Sequence, residues 1–245
     1  MRWFLFFVLA FFSSCSCGNQ SRPLRIGIDA SWYPLNFEEL QPYVNGYTED
    51  VLLEISHYAG LSFEKIPANW DTLFDGMREG KYDAILSSMP LYSFNAAKFD
   101  FSENLLDLGP VLITSSDASY RELSQLSGEL VGILSNNSAA LLIEQYPKVI
   151  VRSYPSIPDT LNAIVDGEIE AAVLDSLPAV NFVRDLYAGK LKVASLPLNE
   201  FGLHLVAPKG KAEKLVRAFN NALGHFKKKK KLETFQRKWN LRESS

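Results

Sequence analysis

Residues 69–104 read NWDTLFDGMREGKYDAILSSMPLYSFNAAKFDFSEN, and their pattern predicts a helix, a turn, a buried strand and a polar loop. Asp71 is a candidate helix cap. Behind it, one helical face carries Leu73, Phe74 and Met77. Gly80 is placed to end this helix in the left-handed backbone conformation that glycine favours. Residues 82–86 form the predicted strand.

The loop after this strand is the predicted binding site. Ser87, Ser88, Met89 and Pro90 follow the strand directly. They place hydroxyls and free backbone N–H groups beyond the carboxyl end of a strand, where ligands bind in open α/β sheets.

The same pattern returns 88 positions later in the chain. Identical residues recur at this offset for Thr72, Leu73, Ala84, Leu86, Ser88 and Pro90. Two lobes of similar plan are therefore predicted. Chance similarity between two ordinary helix–strand units is the alternative, since Gly80 and Gly167 are out of step by one. Ser87 aligns with Asp175, so one lobe offers a hydroxyl where the other offers a carboxylate.

Composition is typical of a soluble globular protein. The 245 residues are 47% hydrophobic and 22% charged, with a formal net charge of −3. The basic residues are not spread along one face, so nucleic acid is not an expected partner. No catalytic, cofactor or metal-binding motif occurs, and His57, His204 and His225 are scattered enough to predict surface or packing roles.

The N-terminus predicts export. Arg2 precedes an apolar run, residues 3–12, that suits a signal-peptide core and is too short for a mature transmembrane helix. Ser13, Ser14 and Cys15 resemble a bacterial lipobox, although Phe12 departs from it. Cys15 would then be lipidated; a plain cleaved signal is the alternative. We expect a signal peptide at residues 1–17 and a tether at 18–22.

The rest of the chain alternates strands and helices, which predicts an α/β fold with mostly parallel sheets. We expect crossings between lobes near residues 105–114 and 197–205. The predicted boundaries are 23–112 for lobe 1, 113–200 for lobe 2, and 201–245 for a return to lobe 1 with a C-terminal helix. A cleft between the lobes would hold the ligand.

Five consecutive lysines, residues 227–231, accompany the C-terminal helix. A solvated, self-repelling face is the simpler interpretation of this run. Contact with anionic lipid is the alternative.

Four blocks, IGIDASWYPLNF, WDTLFDGMREGKYDAILSSM, FDFSENL and FQRKWN, resemble the periplasmic solute-binding proteins for polar amino acids. The resemblance covers about residues 24–241. It implies a two-lobed periplasmic-binding-protein fold with two crossover strands that closes on an amino acid and delivers it to an ABC permease and its ATPase. It further implies a monomeric periplasmic receptor, lipid-anchored through Cys15, that is not an enzyme and needs no cofactor.

The resemblance also implies a set of ligand contacts. In lobe 1 these are Asp29, Trp32, Trp70, Ser87 and Ser88. In lobe 2, Asp175 matches the carboxylate that accepts the α-ammonium. Asn137 and Ser138 match the loop that gives N–H donors to the α-carboxylate.

Two positions depart from the family pattern. Asn95 stands where the family normally has an arginine that binds the ligand's α-carboxylate. Pro90 has no N–H to donate to that carboxylate. A charge-assisted pair contributes roughly 1.5–3 kcal/mol, so the loss would cost about tenfold to a hundredfold in affinity. Arg121, Arg152 and Arg184 are candidates for a replacement.

Asp29 and Asp175 with the indoles of Trp32 and Trp70 favour a cation. We expect a basic or polar amino acid, such as arginine, lysine or glutamine, or a related cation. Two alternatives are a dehydratase-like enzyme on the same fold and a sensory or surface lipoprotein with a degenerate site.

Overall fold

A computed structural model describes residues 22–32, 37–135 and 139–242. The strands are β1 Leu24–Ile28, β2 Phe63–Pro67, β3 Ala84–Ser87, β4 Phe99–Phe101, β5 Leu106–Asp107, β6 Pro110–Ser115, β7 Leu130–Leu134, β8 Ile150–Tyr154, β9 Ala171–Asp175, β10 Leu191–Val193 and β11 Gly202–Pro208. The helices are α1 Gln41–Ala59, α2 Trp70–Arg78, α3 Ser93–Ala96, α4 Ala139–Ile143, α5 Ile157–Val165, α6 Ser176–Leu186, α7 Glu213–Lys228 and α8 Lys231–Lys238.

The strands of this described part form two sheets with the same plan. The first runs β2-β1-β3-β11-β4, and β5 extends it along β11. The second runs β8-β7-β9-β6-β10. In each, three parallel strands are followed by an antiparallel strand that arrives from the other lobe. This shared order confirms the predicted two-lobed α/β fold.

The helix–strand unit that repeats is built from equivalent parts. Asn69, not Asp71 as predicted, caps α2: its Oδ1 accepts a hydrogen bond from Thr72 N at 3.1 Å. The prediction was wrong because the chain enters the helix two residues earlier. In lobe 2, Ser156 caps α5 through Asp159 N at 3.2 Å. Gly80 has the predicted positive φ of 74° after α2.

Helix α1 runs without interruption from Gln41 to Ala59 and contains Gly46 in its interior. Gly46 weakens the helical pattern of the sequence, but it lies inside the helix because the Trp239 ring packs directly on it. A Cβ at this position would come within 2.3 Å of that ring. Helices α1, α7 and α8 pack together over the lobe 1 sheet, and Tyr47, Phe219 and Phe226 are fully buried there.

The lysine run straddles the end of α7 and the start of α8. Lys230 adopts a left-handed φ of 54° between the two helices. Lys227 pairs with Glu103 at 2.8 Å, and Lys231 forms an ion pair with Glu54. The ends of the run are thus tied to lobe 1 acids.

Two crossover segments join the lobes and run side by side. Asp107 pairs with Gly202, Leu108 N donates to Phe201 O at 2.8 Å, and Leu198 N donates to Pro110 O at 2.8 Å. The two predicted crossings are thereby confirmed. The boundaries at residues 112 and 200 stay a prediction.

The predicted signal peptide, Cys15 and nearly all of the tether lie outside the described residues. Within residues 22–242, apart from the two internal gaps, no helix has both the length and the apolar character needed to cross a membrane.

Gly109 has no room for a side chain at the crossover. A Cβ there would come within 2.5 Å of Asn199 Oδ1 and 2.7 Å of Asn199 O. We expect Gly109→Ala to lower the free energy of unfolding by about 1–3 kcal/mol, measured by urea denaturation. Gly224→Ala is the matched control: in α7 its added methyl meets nothing within 4 Å. It should stabilise by about 0.5–1 kcal/mol because alanine is the better helix former. Equal stability of the two variants would contradict the prediction.

Candidate functional site

A cleft of about 870 Å³ lies between the lobes and opens to solvent. Its floor is formed at the crossover segments, and its walls are the carboxyl ends of β3 and β9. Most of the lining is apolar, with Phe37, Leu108, Pro110, Leu177, Leu198 and Phe201 among its members. The polar members of the described lining are Ser88, Tyr92, Gln145, Asp175, Ser176, Asn199, Glu200 and His204.

Two serines follow β3, and the structure separates their roles. Ser87 is buried, and its Oγ accepts a hydrogen bond from Met89 N at 3.1 Å. Ser88 lines the cleft with only 2% of its surface exposed, and its Oγ has no hydrogen-bond partner among the described residues. A buried hydroxyl without a partner is costly, so Ser88 is the stronger candidate for a ligand contact.

Asp175 and Ser176 face the cleft from lobe 2. Asp175 ends β9 at the N-cap position of α6, and its side chain makes no capping hydrogen bond. Asp175 is exposed. Ser176 is 7% exposed, and its Oγ has no partner in the described structure.

Ser176 was missed as a site residue by the sequence analysis. The available signal was its match to Ser88 at the 88-residue offset. Because the two sheets share one plan, equivalent positions at the ends of β3 and β9 meet across the same cleft. The repeat therefore identifies residues that face each other.

The two departures from the family pattern are in contact. Asn95 lies on α3, and its Nδ2 donates a hydrogen bond to Pro90 O at 2.8 Å. Pro90 lines the cleft, whereas Asn95 is outside the cleft lining. The amide that replaces the arginine therefore braces the loop and does not extend into the cleft.

Asp29, Trp32 and Trp70 also lie outside the cleft lining. Asp29 is 7% exposed; its Oδ1 accepts from Ser31 N at 3.0 Å, and its Oδ2 has no partner among the described residues. Trp32 is buried in the lobe 1 core with its Nε1 donating to Asn45 Oδ1 at 2.6 Å. Trp70 begins α2 and packs edge-on against Phe74. Ligand contacts by these three residues stay predictions.

None of the three arginines that were candidates to bind the ligand's carboxylate in place of the family arginine lines the cleft. Arg152 pairs with Glu168 at 3.1 Å, and Arg184 pairs with Asp185 at 2.6 Å. Arg121 donates to Tyr120 O. The described lining contains no lysine or arginine, and its acids are Asp175 and Glu200. The other predicted contacts, Asn137 and Ser138, fall outside the described residues.

His204 lies on β11 beneath the Ser88 loop and is fully buried. Its Nε2 lies 2.7 Å from Met89 O, and its Nδ1 lies 3.0 Å from Asn104 Oδ1. Burial lowers the pKa of His204 to about 4, and the hydrogen bond to Met89 O opposes this shift. The ring is therefore neutral at pH 7 and fixes the loop that carries Ser88. His57 and His225 are exposed.

Metal binding has no support in the described ranges, where no three His, Cys, Asp or Glu side chains lie close enough to share an ion. The site consists instead of hydroxyls, the side-chain amides of Gln145 and Asn199, the neutral ring of His204, two carboxylates and an apolar wall. This composition suits a small organic ligand with polar ends.

Comparison with known protein sequences gives a family and two relatives. The family model described as bacterial extracellular solute-binding proteins, family 3, matches residues 24–242. The L-cystine-binding protein TcyJ of Escherichia coli strain K12 is 21% identical over 219 residues, covering 88% of this chain and 82% of TcyJ. A probable histidine-binding protein of Neisseria gonorrhoeae is 20% identical over 217 residues, covering 86% and 80% of the two chains.

A solved structure shows the same fold. The L-cystine solute receptor of Neisseria gonorrhoeae, in its unliganded open conformation, superposes with a TM-score of 0.69 at 18% identity. The match covers 89% of this chain and 92% of the receptor.

The low pKa of His204 predicts a pH-dependent stability. Between pH 6.5 and about 4 the unfolded histidine is protonated and the folded one is not, so the unfolded state gains stability as the pH falls. Between about pH 7.5 and about pH 5 this should lower the free energy of unfolding by about 2 kcal/mol. In His204→Gln that part of the fall should vanish, as measured by urea denaturation at both pH values. The exposed His57→Gln variant should keep the wild-type dependence; a full wild-type fall in His204→Gln would contradict the assignment.

Proposed function

The chain belongs to family 3 of the bacterial extracellular solute-binding proteins, and we propose that it is the receptor of an ABC importer for an amino acid. It would bind its ligand in the cleft between the lobes and deliver it to a permease and its ATPase. The relatives support the amino-acid class, since the names of two of them specify cystine and histidine.

The observation that carries this proposal is the position of Asp175. Its carboxylate ends β9 at the cleft, and opposite it the Ser88 hydroxyl is buried without a partner. A carboxylate in a cleft whose described lining has no lysine or arginine is suited to accept an ammonium group. An amino acid supplies that group at a fixed distance from its own carboxylate.

The charge of the cleft supports a basic or neutral side chain on the ligand. Asp175 and Glu200 are both acidic, and a side-chain carboxylate on the ligand would be repelled. Arginine, lysine, glutamine, histidine and cystine are all compatible with this charge. The predicted binding of a cation by the Trp32 and Trp70 rings gains no support, because both residues lie outside the cleft lining.

The proposed location is the periplasm, with a lipid anchor on Cys15 and a monomeric receptor body. The support is in the sequence: an apolar run at residues 3–12 is followed by two serines and Cys15. Mass spectrometry of the mature protein would test it, since a lipid-modified Cys15 is the expected N-terminus.

Isothermal titration calorimetry of the purified protein tests the function. The panel is arginine, lysine, histidine, glutamine, cystine and glutamate. Saturable binding of at least one of the first five is expected, with glutamate clearly weaker. No binding to any of the six would overturn the proposal. Chromatography of the recovered ligand tests the enzymatic alternative, and an unaltered ligand is expected.

Asp175→Asn should weaken the binding of whichever amino acid the panel identifies by about tenfold or more, because a charge-assisted hydrogen bond to the ammonium is lost. Asp166→Asn is the matched control, since Asp166 is an exposed acid of lobe 2 at the end of α5. Its affinity should equal that of the wild type. An Asp175→Asn protein that binds as tightly as the wild type would remove Asp175 from the site.

A further inference from the structure

The start of α6 is a second polar feature of the cleft. This helix has 11 residues and begins at Ser176, directly after Asp175. The first N–H groups of a helix have no partner within it, and they carry the positive end of the helix dipole. Pro178 has no N–H, so the groups at this end belong to Ser176 and Leu177. All four residues, 175–178, line the cleft.

Two buried hydroxyls without partners among the described residues indicate a ligand at this helix start. Ser176 Oγ and Ser88 Oγ are both buried, at 7% and 2% residue exposure, and both lack a hydrogen-bond partner among the described residues. They come from different lobes and line the same cleft. Leaving two such hydroxyls unpaired costs free energy that a bound polar group would recover.

The usual carboxylate contacts of lobe 1 cannot fill this role. Asn95 donates its amide to Pro90 O, and Pro90 has no N–H. The described cleft lining contains neither lysine nor arginine. A ligand carboxylate therefore needs donors from elsewhere in the cleft.

We propose that the carboxylate is bound at the start of α6, by the N–H groups of Ser176 and Leu177 and the Ser176 hydroxyl. Ser88 completes the set from lobe 1. This inference rests on the proposed function and specifies its ligand class. Helix N-termini bind carboxylates in this way without any basic side chain.

Asp175 beside this site makes it complementary to a zwitterion. The carboxylate of Asp175 takes the ligand's ammonium, and the adjacent helix start takes the ligand's carboxylate. In an α-amino acid a single carbon carries both the ammonium and the carboxylate. The two groups can therefore reach Asp175 and Ser176, which are adjacent in the chain. An amine without a carboxylate would leave the hydroxyls of Ser88 and Ser176 unpaired, so the site selects amino acids over the corresponding amines.

The test compares each binding amino acid with its decarboxylated analogue by calorimetry. The pairs are arginine with agmatine, lysine with cadaverine, histidine with histamine, and cystine with cystamine. The wild type should prefer the amino acid by about tenfold or more. Ser176→Ala should lose about tenfold in amino-acid affinity while amine affinity stays within about twofold, so the preference falls sharply.

Two further variants complete the experiment. Ser88→Ala should reduce the same preference. Ser116→Ala is the control, since Ser116 lies in lobe 2 outside the cleft lining with its hydroxyl donating to Gly189 O; it should behave like the wild type. Circular dichroism melts show that each variant is folded.

The outcomes separate this inference from the proposed function. If no amino acid binds the wild type, the proposed function fails and this inference with it. If an amino acid and its amine bind the wild type equally, the function stands and the carboxylate site is overturned. A preference unchanged in both Ser176→Ala and Ser88→Ala also overturns it.

Discussion

The pairing of the two crossover segments is the constraint on which the rest of the molecule depends. Asp107 pairs with Gly202, and main-chain hydrogen bonds join Leu108 to Phe201 and Leu198 to Pro110. The first segment leads from lobe 1 into β6, which lies antiparallel to β9 in the lobe 2 sheet. The second leads from lobe 2 back into β11, which lies antiparallel to β3 in the lobe 1 sheet. This connection directs the carboxyl ends of β3 and β9 toward one cleft.

A shared plan in the two lobes does not give the cleft a symmetric chemistry. Ser88 and Ser176 occupy equivalent positions, and both hydroxyls are buried without partners among the described residues. At the preceding position, however, lobe 1 has Ser87 and lobe 2 has Asp175. Ser87 is satisfied by Met89 N, whereas Asp175 faces the cleft. One lobe thus braces its own loop, and the other presents charge to the cleft.

The loop after β3 is held by two side chains that contact its main-chain oxygens. Asn95 holds Pro90 O from one side, and His204 holds Met89 O from beneath. Both contacts are with main-chain oxygens, so they fix the loop that carries Ser88 and add no charge to the cleft. The cleft is acidic because Asp175 and Glu200 line it, whereas its described lining contains no lysine or arginine.

The sequence by itself determined the fold class, the repeated helix–strand unit, the two crossings and the family. Apolar periodicity and Gly80 are local features of the sequence, and the 88-residue offset is a repeat within it; each corresponds to a feature of the folded structure. It also pointed to Ser88 and Asp175, since strand ends are fixed by the chain. Only the tertiary structure decided which polar groups are paired and which side chains are buried: Ser176 lines the cleft with its hydroxyl unpaired among the described residues, Asn95 donates to Pro90 O, and Trp32 packs in the core. Hydrogen-bond satisfaction and burial depend on partners distant in the chain, and no local pattern of residues encodes them.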